Sequence, residues 1–254
     1  MGDAPRRRRP QPNRHGRPPR DPRAPIWARE EPRGRGREAN LSRDQIAEVA
    51  LAIADKEGID AVSIRRLARE LRSGAMSLYH YFDSRDELLE LMADRIAAEM
   101  VVPGELPGDW RGALKAIAEH SRQAFARHPW LHTTLHERMR VTPNLMRHIE
   151  QSAQAVQPLV EAGFDPGVVS TLVAAVDDYT IGYTLRERNY VGTEERAQGI
   201  EEAFQEPHLQ ALLDSGEFPL LSRFLAEDGD PPLTQRFEDG LDWLLDGFAA
   251  NLGL

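Results

Sequence analysis

The stretch SIRRLARELRSGAMSLYHYF, residues 63–82, decides the fold. Ser63 is a cap residue, and Ile64, Leu67, Ala68 and Leu71 share one face of a short helix behind it. Arg65, Arg66, Arg69 and Arg72 lie off that face. They read either as phosphate anchors or as a solvated face balanced by Glu70. A second short segment runs from Gly74 to Tyr81. Its small residues let a backbone approach a groove closely, and its aromatic hydroxyl and imidazole tips can reach phosphates and base edges. Leu78 and Phe82 read as core. Short helices separated by so few residues predict a helix-turn-helix.

Upstream, Ser42 to Glu57 places Ile46, Val49, Ala50 and Ile53 at helical spacing, and Gly58 stops it. Downstream, Ser84 and Glu87 form a capping box for a linking helix over 84–101, with Leu88, Leu91, Met92 and Ile96 inward. Pro103, Gly104, Pro107 and Gly108 then break the pattern. This predicts a DNA-binding unit over 41–102 and a second unit over 109–254. The second unit reads as helices over Asp109–His128, Pro143–Ala162, Pro166–Arg188 and Thr234–Leu252. A further segment spans Pro129–Val141, and short helices fall near 206–214 and 218–226. Strand-like alternation and internal repeats are lacking, so the expected class is all-α.

The chain has 254 residues, 41% hydrophobic and 29% charged, with no cysteine and a net charge of −9. Such a composition fits a soluble domain with a real core and excludes disulfides, thiolate catalysis and cysteine-held metal. A spanning apolar run and a signal-peptide stretch are both missing, so the expected place is the cytoplasm, away from membranes. The charge is uneven. Residues 1–40 carry twelve arginines and five acids, net +7, leaving −16 on the other 214 residues. That segment also holds eight prolines and few aliphatic side chains, and is expected to be a disordered arm. It is either a polycation for DNA phosphates or a solvated tail.

The run from Leu41 to Ile96 resembles the DNA-binding domain of the tetracycline-repressor (TetR) family. The matching landmarks are Ala47/Ala50, Glu57-Gly58, Ser63-Ile64-Arg65-Arg66-Leu67-Ala68, Leu78-Tyr79, Tyr81-Phe82 and Ser84-Arg85-Asp86-Glu87-Leu88-Leu89. FEDGLDWLLDGFAANL resembles the last helix of the tetracycline-repressor-like subgroup, which also has a lead-in like Ile26-Trp27-Ala28-Arg29. One departure is the turn, where Arg72-Ser73-Gly74 replaces the family's Gly-Val-Ser. Either the turn is looser or Gly74 takes the strain.

The resemblance implies a homodimeric, ligand-responsive regulator, more often a repressor, with double-stranded DNA and a small molecule as partners. It implies base contact by Arg65, groove contact by Ala75, Met76, Ser77 and Tyr79, and phosphate contact by Tyr81 and Arg85. Ser63, Arg66 and His80 complete the candidate DNA set. An apolar or aromatic effector is expected among Trp110, Leu114, Phe125, Trp130, His132, His136, Met139, Met146 and Tyr179. The dimer is expected on the Pro166–Arg188 and last helices, through Leu172, Val176, Tyr183, Gly240, Trp243 and Gly247.

His128, His132 and His136 have metal-like spacing, but Pro129 interrupts the helix and pocket lining is the expectation. No metal or cofactor is expected. Asp177 and Asp178 either meet a ligand or pair with Arg186, Arg188 or a dimer partner. Without a nucleophile elbow, phosphate loop or nucleotide fingerprint, no enzyme is expected. A helical scaffold that binds no DNA is the rival reading.

Overall fold

The computed structural model describes residues 24–31, 41–131, 140–190, 204, 206–226 and 233–254. Among them are ten α-helices, two short 3-10 turns and no strand. The helices are α1 (Arg43–Glu57), α2 (Ile64–Glu70), α3 (Ala75–Leu78), α4 (Arg85–Met100), α5 (Trp110–Arg127), α6 (Pro143–Glu161), α7 (Pro166–Tyr190), α8 (Pro207–Asp214), α9 (Pro219–Ala226) and α10 (Leu233–Leu252).

Local chemistry sets the ends. Ser42 and Gln45 form a reciprocal capping box on α1, and Gly58 stops that helix at φ +87°. Ser63, Ser84, Asp109 and Thr142 cap α2, α4, α5 and α6 by accepting a backbone N–H three residues on. At the departure from the family turn, Arg72 itself takes the left-handed position at φ +50°, while Gly74 stays at φ −75°. The turn therefore closes without shifting its strain to the glycine.

Two apolar clusters hold the chain. The first joins Ile46, Ala50 and Ile53 of α1 to Leu67, Leu78, Phe82, Leu88, Met92 and Ile96. The second joins Leu114 and Ile117 of α5 to Val156 and Leu159 of α6, Leu172 and Val176 of α7, and Phe237, Leu241 and Leu245 of α10. Helix α4 runs out of the first cluster and packs on α5 and α6. Between α5 and α7, the buried Arg122 guanidinium donates to both oxygens of Glu187 and lies over the Phe237 ring. The Glu187 hydrogen bond raises the pKa of Arg122 further, so this guanidinium stays charged.

Residues 24–31 correct the expectation of a disordered arm through residue 40. Ile26 is 1% exposed and sits in the first cluster. Arg29 pairs with Asp83 at 2.9 Å and with Glu87 at 2.6 Å. Arg43 donates to the Arg29 carbonyl at 2.7 Å. The buried Ile26 side chain, with the Arg29 ion pairs, is what docks it.

Candidate DNA-contact surface, effector region and dimer face

Helix α3 turns one side into the core and the other outward. Leu78 is fully buried, whereas Gly74, Ala75, Met76, Tyr79 and His80 are exposed, Met76 at 76%. An apolar side chain held so far into solvent on a one-turn helix suits contact with base edges and thymine methyls. Arg65 and Arg69 of α2 and Arg72 after it are exposed and make no ion pair among the described residues. Ser63 is exposed while capping Arg66. Arg85 rests on the Ile59 carbonyl at 3.2 Å with its side chain half exposed.

Two candidates stand apart. Arg66 bonds Glu57 at 2.7 Å and also pairs with Glu70. The Glu57 hydrogen bond raises the Arg66 pKa and lowers that of Glu57, so this guanidinium is matched within the chain. Tyr81 is only 5% exposed and belongs to the first cluster. Its aromatic body packs inward, which corrects the expectation of a phosphate-contacting tyrosine.

Among the described residues, the expected effector lining is dispersed. Leu114 is buried in the second cluster, but Phe125 and Trp130 belong to the first. Met146 is 57% exposed. Tyr179 donates its hydroxyl to backbone carbonyls of α10 at Arg236 and Phe237. Trp110 packs edge-on against Phe248 and lines an open cleft of about 340 Å³ with residues 104–109 and α6. His132, His136 and Met139 lie outside the described residues.

Several buried polar side chains were missed. Buried polar side chains occur on three helices: Ser121 on α5, His148 and Ser152 on α6, and Thr180 and Thr184 on α7, with half-buried Asp177 also on α7. The signal was polar residues at helical spacing on apolar stripes. Ser152, Thr180 and Thr184 spend their hydroxyls on carbonyls of their own helices. Ser121 Oγ and His148 Nδ1 are buried with no hydrogen-bond partner among the described residues. Burial lowers the His148 pKa, against a hydrogen bond to the Met100 backbone, so the ring is neutral at pH 7. Burial and the neighbouring Asp178 push Asp177 up to about 6.

The dimer expectation is corrected in part. Leu172 and Val176 are buried within the subunit. Tyr183 donates to the Leu233 carbonyl, and Gly240 lies under the Tyr179 hydroxyl. All four therefore serve intrachain packing. Trp243 is 73% exposed, and a Cβ at Gly247 would meet nothing within 4 Å. The other side of α7 exposes Ala174, Asp178, Ile181 and Leu185.

Known proteins share both parts of this arrangement. Residues 46–92 match the model of bacterial regulatory proteins, tetR family, and residues 102–252 match the tetracyclin repressor-like C-terminal domain. The chain belongs to the TetR family. It is 35% identical to the HTH-type transcriptional repressor DrrR1 of Streptomyces coeruleorubidus, over 87% of this chain and 82% of that protein. It is 31% identical to an HTH-type transcriptional regulator of Saccharopolyspora erythraea, over 90% and 93%. The crystal structure of the Streptomyces coelicolor TetR family protein ActR in complex with actinorhodin superposes with a TM-score of 0.67 at 29% identity, covering 84% of this chain and 99% of ActR.

In this TetR-family chain the linking helix α4 is gripped along its length by polar contacts. Glu87 holds Arg29, and Asp94 accepts both the backbone and side-chain N–H of Asn144 at 2.8 Å. Glu99 pairs with Arg127 at 2.7 Å. Movement of the helices behind α4 thus meets α4 through directional bonds as well as apolar packing. Among the described residues no helix is long and apolar enough to cross a membrane, and no group of His, Cys, Asp or Glu is placed to hold a metal ion.

Proposed function

We propose that this chain is a cytoplasmic, homodimeric repressor that leaves its operator when a small apolar or aromatic effector binds, and that it has no enzymatic activity. The division of labour is DNA reading by residues 41–102 and effector binding with dimerisation by 109–254. The observation that carries the reading is the α2–α3 surface, where exposed Arg65, Arg69, Met76 and Tyr79 surround a helix anchored by Leu78. An acidic body that nevertheless presents arginines around an exposed one-turn helix is arranged for a polyanion.

Ser63, Arg65, Ala75, Met76, Ser77, Tyr79, His80 and Arg85 are the proposed DNA residues. Effector binding is proposed among α5, α6 and α7, where His148 has a buried Nδ1 and Ser121 a buried hydroxyl with no hydrogen-bond partner among the described residues. Support comes from ActR, solved with actinorhodin, and from the repressor named among the relatives. The action is a population shift. An effector that favours one arrangement of α5–α7 moves α4 through its carboxylate contacts, and two recognition helices cease to match grooves one turn apart.

The test is a gel shift on DNA adjoining the chain's own gene, with actinorhodin as the probe effector. Specific retardation that Arg65→Ala weakens by about 1–3 kcal/mol, with relaxed sequence preference, supports the reading. Equal loss on random DNA reduces Arg65 to a phosphate anchor, and no retardation at all favours a helical scaffold.

A further inference from the structure

The carboxyl end of α4 is finished by another helix. Val101, the residue after the last turn, has φ −71° and ψ +123°, so the chain leaves α4 extended and does not fold back on the open carbonyls. Helix α6 supplies partners. Gln151 accepts from the Val102 N–H at 2.9 Å and donates to the Val102 carbonyl at 2.8 Å, so one amide matches both backbone groups of a buried residue. His148, one turn earlier, bonds the backbone of Met100, the last residue of α4. That bond favours the charged ring, so the ring donates and the Met100 carbonyl accepts. Asn144, a further turn back, gives Asp94 its backbone and side-chain N–H at 2.8 Å. Residues 144, 148 and 151 share one face of α6 and meet 94, 100 and 102 in the same order, so the two helices are joined rung by rung.

The rungs differ in what they leave open. Gln151 is matched in both directions. The buried His148 ring is neutral, and with one nitrogen donating to Met100 the other can only accept. That nitrogen, Nδ1, is buried with no partner among the described residues. We propose that His148 is the relay and Gln151 the latch of the effector response: a hydroxyl on the effector donates to His148 Nδ1, the ring carries the resulting shift to the Met100 carbonyl, and Gln151 makes the end of α4 follow α6. The inference rests on the repressor reading and names its effector chemistry and its route to α4. A hydroxyl on an apolar body fits the bare acceptor. An ammonium would carry charge into a buried site, and a ligand with acceptors alone would face a lone pair. The latch is directional. A slide of about 1 Å between the helices takes both Gln151 bonds beyond hydrogen-bonding range, so α4 either moves with α6 or loses both. With 16 residues, α4 is a lever of roughly 24 Å whose far end adjoins the recognition segment.

The experiment uses the full chain, a duplex it selects from a random pool, and actinorhodin as the probe. Actinorhodin affinity is measured by calorimetry for each protein, free and saturated with the duplex. The ratio of the two affinities is the coupling between the sites, and about tenfold or more is expected for the unaltered chain. Gln151→Met should leave the affinity of the free protein within about twofold and bring the ratio below about threefold. His148→Asn keeps an acceptor near the Nδ1 position but is too short for Met100, so it should bind actinorhodin and lose the coupling. His148→Gln reaches Met100 but lacks the Nδ1 acceptor, so it should bind about tenfold more weakly and keep the ratio. A purely structural role would lower the melting midpoints and leave every ratio as in the unaltered chain, which overturns the proposal. A Gln151→Met protein that loses affinity equally with and without the duplex makes Gln151 a ligand contact and overturns the latch. A His148→Gln protein that binds as tightly as the unaltered chain overturns the relay. An unaltered chain that selects a duplex but binds actinorhodin equally with and without it, or not at all, overturns the effector reading and this inference with it. An unaltered chain that is coupled, with variants that do not move the ratio, overturns this inference alone.

Discussion

Trp130 donates its indole N–H to Asp55 at 2.8 Å, tying the segment after α5 to the end of α1. The same carboxylate oxygen meets His128 Nδ1 at 2.8 Å, and both rings are buried. Asp55 is thus a shared partner for two buried groups that follow α5. Asp55→Ala removes the acceptor and strands an indole N–H in the core. The expected outcome is a loss of about 2–3 kcal/mol in urea denaturation followed by tryptophan fluorescence. A change under 0.5 kcal/mol would show that water replaces the carboxylate at no cost.

The turn between α2 and α3 offers a gain. Arg72 is the non-glycine residue with positive φ among the described residues, at +50°. Its Cβ crowds the backbone there, whereas glycine has no such penalty. Arg72→Gly is expected to raise stability by about 0.5–1 kcal/mol, net of glycine's entropy in the unfolded chain. Thermal denaturation checks the sign, and a lowered midpoint would mean the Arg72 side chain contributes more than its backbone strain removes.

Much of this architecture was legible because its signals are local. Ser42, Ser63, Ser84 and Thr142 cap helices by chemistry that needs no tertiary partner, and the apolar stripes of α1, α2, α4 and α10 have the helical period. What the pattern could not assign was which of two apolar sides faces which neighbour. Helix α7 is apolar nearly all round, so Leu172, Val176 and Tyr183 were expected at a partner and instead face α5 and α10. Phe125 and Trp130 were expected around an effector for the same reason. They sit at the end of α5 that descends to α1, a matter of helix direction and length that composition does not carry. Ile26 stood out only within the family-like lead-in Ile26-Trp27-Ala28-Arg29, because one aliphatic side chain near prolines and arginines raises no periodic signal for the core.

Gly240 and Gly247 are two turns apart on α10 and respond oppositely to a methyl group. A Cβ at Gly240 would overlap the Tyr179 hydroxyl and lie 3.0 Å from Cζ, while one at Gly247 is clear of everything within 4 Å. Gly240→Ala must push Tyr179 off the α10 carbonyls and is expected to cost about 1–3 kcal/mol. Gly247→Ala relieves helical glycine entropy and is expected to stabilise by about 0.5–1 kcal/mol. Denaturation midpoints moving the same way for both would contradict the packing of Tyr179 on α10.

Asp177 links stability to pH. Burial, with Asp178 adding to it, holds its pKa near 6 instead of 3.8, so the folded chain keeps a proton that the unfolded chain releases. A raised carboxyl contributes no penalty below the unfolded value, and stability falls as pH rises from about 4 through 6. The penalty at pH 7 is on the order of 2–3 kcal/mol. Asp177→Asn should therefore stabilise the protein at pH 7 and have far less effect at pH 4.5. Equal gains at both pH values would show that the carboxylate is solvated in the folded state.

The proposed dimer face follows from what each side of α7 already does. Leu172 and Val176 fill the second cluster, and Tyr183 is bonded to α10, so none is available to a second copy. Ala174, Asp178, Ile181 and Leu185 recur at three- and four-residue intervals on the exposed side, and α10 offers Trp243 and Gly247. Aliphatic side chains, one exposed tryptophan and an open glycine suit a two-fold bundle in which each copy supplies two helices. Leu185→Arg should then yield a monomer with unchanged helical circular dichroism, measured by sedimentation, whereas Leu172→Arg should unfold the subunit by burying an unpaired charge. Gly247→Arg separates the contribution of α10, because no atom of the described residues lies within 4 Å of a Cβ there. If Leu185→Arg and Gly247→Arg both sediment as dimers of unchanged affinity, the copies meet through another face.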